Sequence, residues 1–176
     1  QYVATLTSEY LQAGIAAAQK SVTLEPDEYG NHDILGASYL AAAKLQLASG
    51  KDPSVDLQRA IQSLRRALEL QPDFAPAYNK LGNVHLSLVV QQRKRGKDVY
   101  EDFLAGVGYY ERAIQLSPES LLPYTNLIAI SSHRLDQLVE GGRFDDPLFE
   151  RAKQYHRQCK AKNPSYLFCD ISFASM

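Results

Sequence analysis

His133, Asp136 and Glu140 are the first residues to weigh for chemistry, because steps of three and four set an imidazole and two carboxylates on one helix face. Such a trio resembles a general base held by acidic groups. It has no nucleophile or metal partner, so it falls short of a catalytic constellation. His32, His85 and His156 stand at unrelated phases, and no two histidines share one helical turn as a metal pair requires. All four read as surface or satisfied core residues. No enzymatic activity, metal or cofactor is expected. Cys159 and Cys169 give no sign of compartment as a single pair, and two unpaired thiols are favoured over a disulfide.

The run Arg93-Lys94-Arg95-Gly96-Lys97 could meet acidic groups or serve as a nuclear signal. The plainer reading is a solvated helix end whose cations complement the macrodipole. The 11 tyrosines could stack on bases, but Tyr39, Tyr78, Tyr109, Tyr110 and Tyr124 fall at or beside positions that pack helices. A formal charge of −1 gives no nucleic-acid footprint. Asn79 and Asn83 are the best binding signal. Spaced i, i+4, their amides face one direction and can donate to and accept from a peptide backbone without reading its side chains.

Helices must position these groups, and the helices repeat. Pro26, Pro72, Pro118 and Pro164 follow one another at 46 residues, and Gly50, Gly96 and Gly142 keep the same period, each followed by a basic residue. A fixed period of this size signals a repeat array. Twelve residues before each proline stands Gly14, Ala60, Gly106 or Ala152, and five before it Ser21, Ala67, Ala113 or Cys159. Larger apolar residues, Leu11, Leu57, Phe103 and Phe149, stand fifteen before, and Leu35, Leu81 and Leu127 nine after. Small residues let helix axes approach, and large ones fill the seam.

The order Tyr78, Leu81, Gly82, Gly106, Tyr110, Ala113, Leu116, Pro118 resembles the tetratricopeptide (TPR) repeat, a resemblance covering residues from about Thr7 to Pro164. That family's unit has 34 residues. The 12 extra residues fit if both helices of each hairpin lengthen by about six residues, roughly 9 Å, at the tip. Armadillo and HEAT units match the period but not the punctuation. Long units with the connector Gly50-Lys51-Asp52-Pro53 also resemble the arrays that follow bacterial serine/threonine kinase domains. This chain has no DFG or HRD motif, and Gly106-Val107-Gly108 lacks the third glycine of a phosphate loop.

The expected fold is therefore all-α: αα-hairpins in a right-handed superhelix, a TPR-like solenoid with lengthened helices. Residues 1–26 form a partial unit, 27–72, 73–118 and 119–164 full units, and 165–176 the start of a further unit or an apolar cap. Seven full helices are expected, the first capped by Thr7 or Ser8 after a lead-in. Phe173 and Ala174 take the places of the repeat's Leu and Gly in the final half-helix. Asp52-Pro53 and Asp146-Pro147 should start helices by capping, and Asp98 with Glu101 resembles a capping box. Ile128 replaces the glycine of Gly36 and Gly82, which should hold the third pair of axes further apart.

No apolar run approaches the ~20 residues of a membrane helix, and the N-terminus lacks the regions of a signal peptide. The chain reads as soluble, with a cytoplasmic setting favoured. It opens at Gln1 inside a repeat, so a fragment of a larger protein is expected. The resemblance implies an interaction module whose concave groove takes a protein or peptide partner. By phase, the groove positions are Asp33, Ala37 and Leu40, then Asn79, Asn83 and Leu86, then Thr125, Ala129 and Ser132. Asp33 and Thr125 stand where a clamp for acidic chaperone tails would need cations, so a neutral, partly apolar groove is expected. The alternative is an oligomerisation or spacer element that self-associates through its open ends.

Overall fold

A computed structural model describes the backbone of residues 2–174 and the side chains of residues 8–170. Among the described residues there are eight helices and no strand: α1 (Tyr2–Leu24), α2 (Tyr29–Ala48), α3 (Ser54–Leu70), α4 (Ala75–Lys94), α5 (Tyr100–Leu116), α6 (Leu122–Glu140), α7 (Asp146–Lys162) and α8 (Leu167–Ala174). No described helix is long and apolar enough to cross a membrane.

Both kinds of punctuation have a backbone cause. Each periodic proline takes the second place of a four-residue turn, closed by Glu28 N to Glu25 O (3.3 Å), Phe74 N to Gln71 O (3.2 Å), Ser120 N to Ser117 O and Tyr166 N to Asn163 O (3.1 Å each). Proline presets the φ that this place requires. At the opposite ends, Gly50, Gly96 and Gly142 have φ of 72°, 65° and 70°. The following N–H groups of Lys51, Lys97 and Arg143 reach back to Gln46 O, Gln92 O and Leu138 O. This is the Schellman closure, which favours glycine in the left-handed conformation.

Packing explains the small residues. A Cβ on Gly36 would lie 2.6 Å from Leu64 Cγ, one on Gly82 would overlap the Tyr110 ring, and one on Gly106 would overlap Ile130. The α2–α3 and α4–α5 backbones therefore approach closely, whereas α6 and α7, with buried Ile128 between them, do so over a shorter stretch. Gly14 meets nothing within 4 Å. Two continuous clusters form the core, one centred on Leu35, Leu57, Leu64 and Leu81, the other on Phe103, Tyr110, Leu127 and Ile130.

Several local expectations need correction. α1 begins at Tyr2, ahead of Thr7 or Ser8, because residues 2–6 contain no glycine or proline to stop the helix; the Thr7 side chain lies outside the described residues. Asp145 rather than Asp146 caps α7, its carboxylate accepting from Leu148 N at 2.9 Å. Asp98 accepts from Tyr100 N at 3.3 Å, but α5 starts one residue too late for a capping box. Glu101 falls at the second helical position, not the third. Asp52 accepts from Ser54 N at 3.1 Å, but it stands one residue ahead of the cap: Pro53 is the N-cap residue of α3 and not its first helical one.

The tail is an eighth helix, and the two cysteines are not free. Cys159, in the small buried position, is joined to Cys169 of α8 with Cα atoms 6.2 Å apart. The turn at Pro164 brings the chain back within bridging range. Asp170 adds ion pairs to Lys160 at 2.8 Å and His156 at 3.0 Å. The places of Phe173 and Ala174 lie outside the described side chains. Because the bridge closes a short loop at one end, reduction is expected to loosen α8 rather than the array. Amide exchange in residues 167–170 should accelerate by up to about 100-fold, an opening cost lowered by at most ~3 kcal/mol. Unchanged exchange with dithiothreitol would show that the bridge does not hold α8.

Candidate partner-binding face

The even-numbered helices touch in series, α2 with α4, α4 with α6 and α6 with α8, while no two odd-numbered helices come within 8 Å between Cα atoms among the described residues. Closer spacing along the even row makes its free surface the concave side. The row is stitched in a repeating register. Lys80 Nζ donates to both oxygens of Asp33 at 2.9 Å, and Asn126 Nδ2 donates to Asn79 Oδ1 at 3.1 Å. Arg93 donates to Glu140 at 2.7 Å, and Lys94 to Leu47 O at 3.3 Å.

The sequence-selected groove residues divide into two sets. Ala37, Asn79, Asn83, Leu86 and Ala129 are half-exposed, whereas Asp33, Leu40, Thr125 and Ser132 are buried. Thr125 and Ser132 return their hydroxyl protons to Leu122 O and Ala129 O, at 2.9 and 2.8 Å. The open stripe is turned by about one residue from the sequence selection. It runs Ile34, Ala37, Ala41, Lys44 on α2; Lys80, Asn83, Val90 on α4, where Ser87 at the matching place is buried; and Asn126, Ala129, His133, Asp136 on α6. Each set is the preceding one displaced by 46 residues, a signal that the period itself contained.

The asparagines are more constrained than free amides. Asn79 Oδ1 is spent on Asn126, and Asn83 Oδ1 accepts from the buried Tyr110 hydroxyl at 2.9 Å. What remains are amide N–H groups, so the pair can donate to peptide carbonyls. At the base of the face a 240 Å³ hollow is lined by Pro76, Asn79, Lys80, Ser117, Leu122 and Pro123.

His133, Asp136 and Glu140 do come together, around Arg93. The guanidinium donates to Asp136 at 2.6 Å and Glu140 at 2.7 Å and lies 3.2 Å from His133 Nδ1. The cluster ties α4 to α6, and its carboxylates are occupied. Arg93 is therefore not a solvated tip residue, and its pKa is raised, first by the Glu140 hydrogen bond. Burial, then the Arg93 charge, holds His133 below its ordinary value, with Asp136 opposing. The other histidines also have partners: His32 Nε2 lies 2.7 Å from Pro26 O, His85 Nδ1 2.8 Å from Asp102, and His156 3.0 Å from Asp170. Among the described residues no three His, Cys, Asp or Glu gather as a metal site.

A histidine with a lowered folded pKa binds its proton more readily unfolded, so its stabilising contribution is full above about pH 6.5 and fades below it. Between about pH 6.5 and about pH 5, the wild-type melting temperature is expected to fall more than that of His133→Gln. Equal slopes would remove the assignment. The depressed Asp52 and Asp170, each favoured first by a hydrogen bond, from Ser54 and Lys160 respectively, act only below about pH 4.

Stacked antiparallel helix pairs with a continuous inner row define an all-α, TPR-like helical repeat solenoid. The family model of a TPR repeat matches residues 56–89, which span most of α3 and three quarters of α4. No curated protein is significantly similar to the chain. TPR repeats in general mediate protein–protein interaction and are typically non-enzymatic.

Proposed function

We propose that the chain is a non-enzymatic interaction module whose concave face receives an extended peptide segment of a partner protein. The observation that carries this reading is the middle of the face, where Ala37, Asn83 and Ala129 stand at one level across three helices. Small side chains leave room for a backbone, and the unspent amide N–H groups of Asn83 and Asn79 supply donors for its carbonyls. Ala37→Arg with Ala129→Arg fills this level without touching the Tyr110–Asn83 bond. A partner captured from a lysate by wild type and lost by that double variant, at equal helicity and melting temperature, is the expected result. The same partner held equally by both would defeat the reading.

The long units and the Gly50-Lys51-Asp52-Pro53 connector support placing the array within a signalling protein that carries a kinase domain. Co-purification with a kinase activity from native extract would test that placement, and its absence would remove it. Exposed apolar side chains at both ends, Tyr10 and Leu24 on α1 and Leu167 and Phe168 on α8, favour self-association as the second reading. A mass that rises with concentration in light scattering, unaffected by Ala37→Arg and Ala129→Arg, would select it.

A further inference from the structure

The outer row leaves a hollow where the chain departs from its own period. The hollow measures 240 Å³ and is lined by Phe103 and Val107 of α5, Ser131 of α6, and Leu148, Arg151 and Tyr155 of α7. Tyr100 and Leu104, each about half exposed, stand at its mouth. Forty-six residues earlier, the matching gap between α3 and α5 is filled by the chain itself. The place of Ser131 is taken there by His85, and the place of Leu148 by Asp102. The His85 ring stacks on Tyr109, the counterpart of Tyr155, with centroids 5.4 Å apart, and its Nδ1 lies 2.8 Å from Asp102 Oδ1. Gln92 donates to the other carboxylate oxygen at 2.7 Å.

In the later gap both the ring and the carboxylate are gone. Ser131 turns its hydroxyl to Leu127 O at 2.7 Å, and the Leu148 side chain has no polar atom. The mouth changes in the same direction: Tyr100 and Leu104 replace Ser54 and Gln58, so polar side chains give way to exposed apolar ones. Arg151 replaces Ala105, which puts a cation one turn from the place of the lost acid. It spends Nη2 on Glu111 and Nε on Tyr155 Oη at 2.7 Å, and its Nη1 has no partner among the described residues. Asp145, the carboxylate that lines the hollow, is spent on Leu148 N at 2.9 Å. The volume falls below the roughly 300–1,000 Å³ of a pocket for a drug-sized molecule. It suits one large side chain, the form in which interface hot spots are buried.

We propose that this outer hollow is a docking site, separate from the concave face, for a partner protein segment that inserts an aromatic side chain beside Tyr155 and sets a carboxylate on Arg151. The partner returns to this gap the ring and the acid that His85 and Asp102 supply to the one before. The guanidinium in place of Ala105 gives that carboxylate a charged donor.

The test is selection from a displayed library of random peptides about a dozen residues long, against wild type and Ser131→His/Leu148→Asp, which rebuilds the earlier filling. Should that pair lower the melting temperature, Tyr100→Ser/Leu104→Gln, confined to exposed positions, serves in its place. Clones held by wild type and lost by the variant should carry Phe, Tyr or Trp with Asp or Glu close by. Replacing the aromatic residue of such a clone by Ala should weaken binding at least about 30-fold, and Arg151→Ala should weaken it about fivefold. Hollow-dependent clones without an aromatic residue would overturn the assigned chemistry. Clones that bind wild type and both variants equally would overturn the site, as would no clones at all. A wild-type mass that rises with concentration in light scattering, and does not rise in the variant, would give the hollow to a second copy and overturn the partner assignment.

Discussion

Gly82→Val is expected to cost about 3 kcal/mol of stability, at the upper end of ordinary overpacking. Removing a helical glycine would by itself gain a few tenths of a kcal/mol, so the sign is set by contact. A side chain at 82 overlaps the Tyr110 ring, which is wholly buried and cannot retreat. At roughly 2–4 °C per kcal/mol for a chain of this size, the melting temperature should drop by about 6–12 °C. Gly108→Ala is the control. Gly108 lies exposed within α5 with nothing within 4 Å of a new Cβ, so a gain approaching ~1 kcal/mol is expected. If both substitutions shift stability the same way, the close-approach account of Gly82 fails.

Tyr110→Ala should cost more, about 3–5 kcal/mol, because a fully buried aromatic leaves a cavity that its rigid neighbours cannot close. Tyr110→Phe separates packing from polarity. It removes only the hydroxyl that donates to Asn83 at 2.9 Å, a net loss of about 1 kcal/mol. It also frees the Asn83 carbonyl to accept from a ligand. Since Gly82 and Tyr110 touch, the two large effects should not add: Gly82→Val with Tyr110→Ala refills the vacated space, with a coupling of at least ~1 kcal/mol. Chemical denaturation of the four proteins gives this directly, and strict additivity would refute the contact. Because each unit of an array contacts only its neighbours, denaturation can separate into two transitions, and exchange protection around α4 and α5 is the safer readout.

Gly82 and Tyr110 also show what the sequence made legible. Their spacing in the repeat gave the helix pairing, and the positive-φ glycines and turn prolines gave both ends of every hairpin, because these positions obey backbone rules that hold without neighbours. Asp146 and Glu101 were misread for a different reason. Which acidic residue caps depends on the first helical residue, a matter of one position that propensity does not resolve. The groove was legible in period but not in rotation. Asp33, Leu40, Thr125 and Ser132 lie one step off the open stripe, turned into neighbouring helices. The Arg93 cluster escaped notice because its partners are forty or more residues away, and the Cys159–Cys169 pairing because α8 was not foreseen as a complete helix.

The contrast between the two rows of helices has a mechanical meaning. Hydrogen bonds chain the inner row at one register after another, whereas the outer helices keep their backbones apart and meet through long side chains such as Arg151 and Tyr155 with Glu111. Strain applied to the array will therefore open and close the outer gaps and leave the inner spacing nearly constant. The concave face is a ruler with a flexible back: in the proposed groove reading a segment would meet donors at fixed intervals while the superhelix bends behind them.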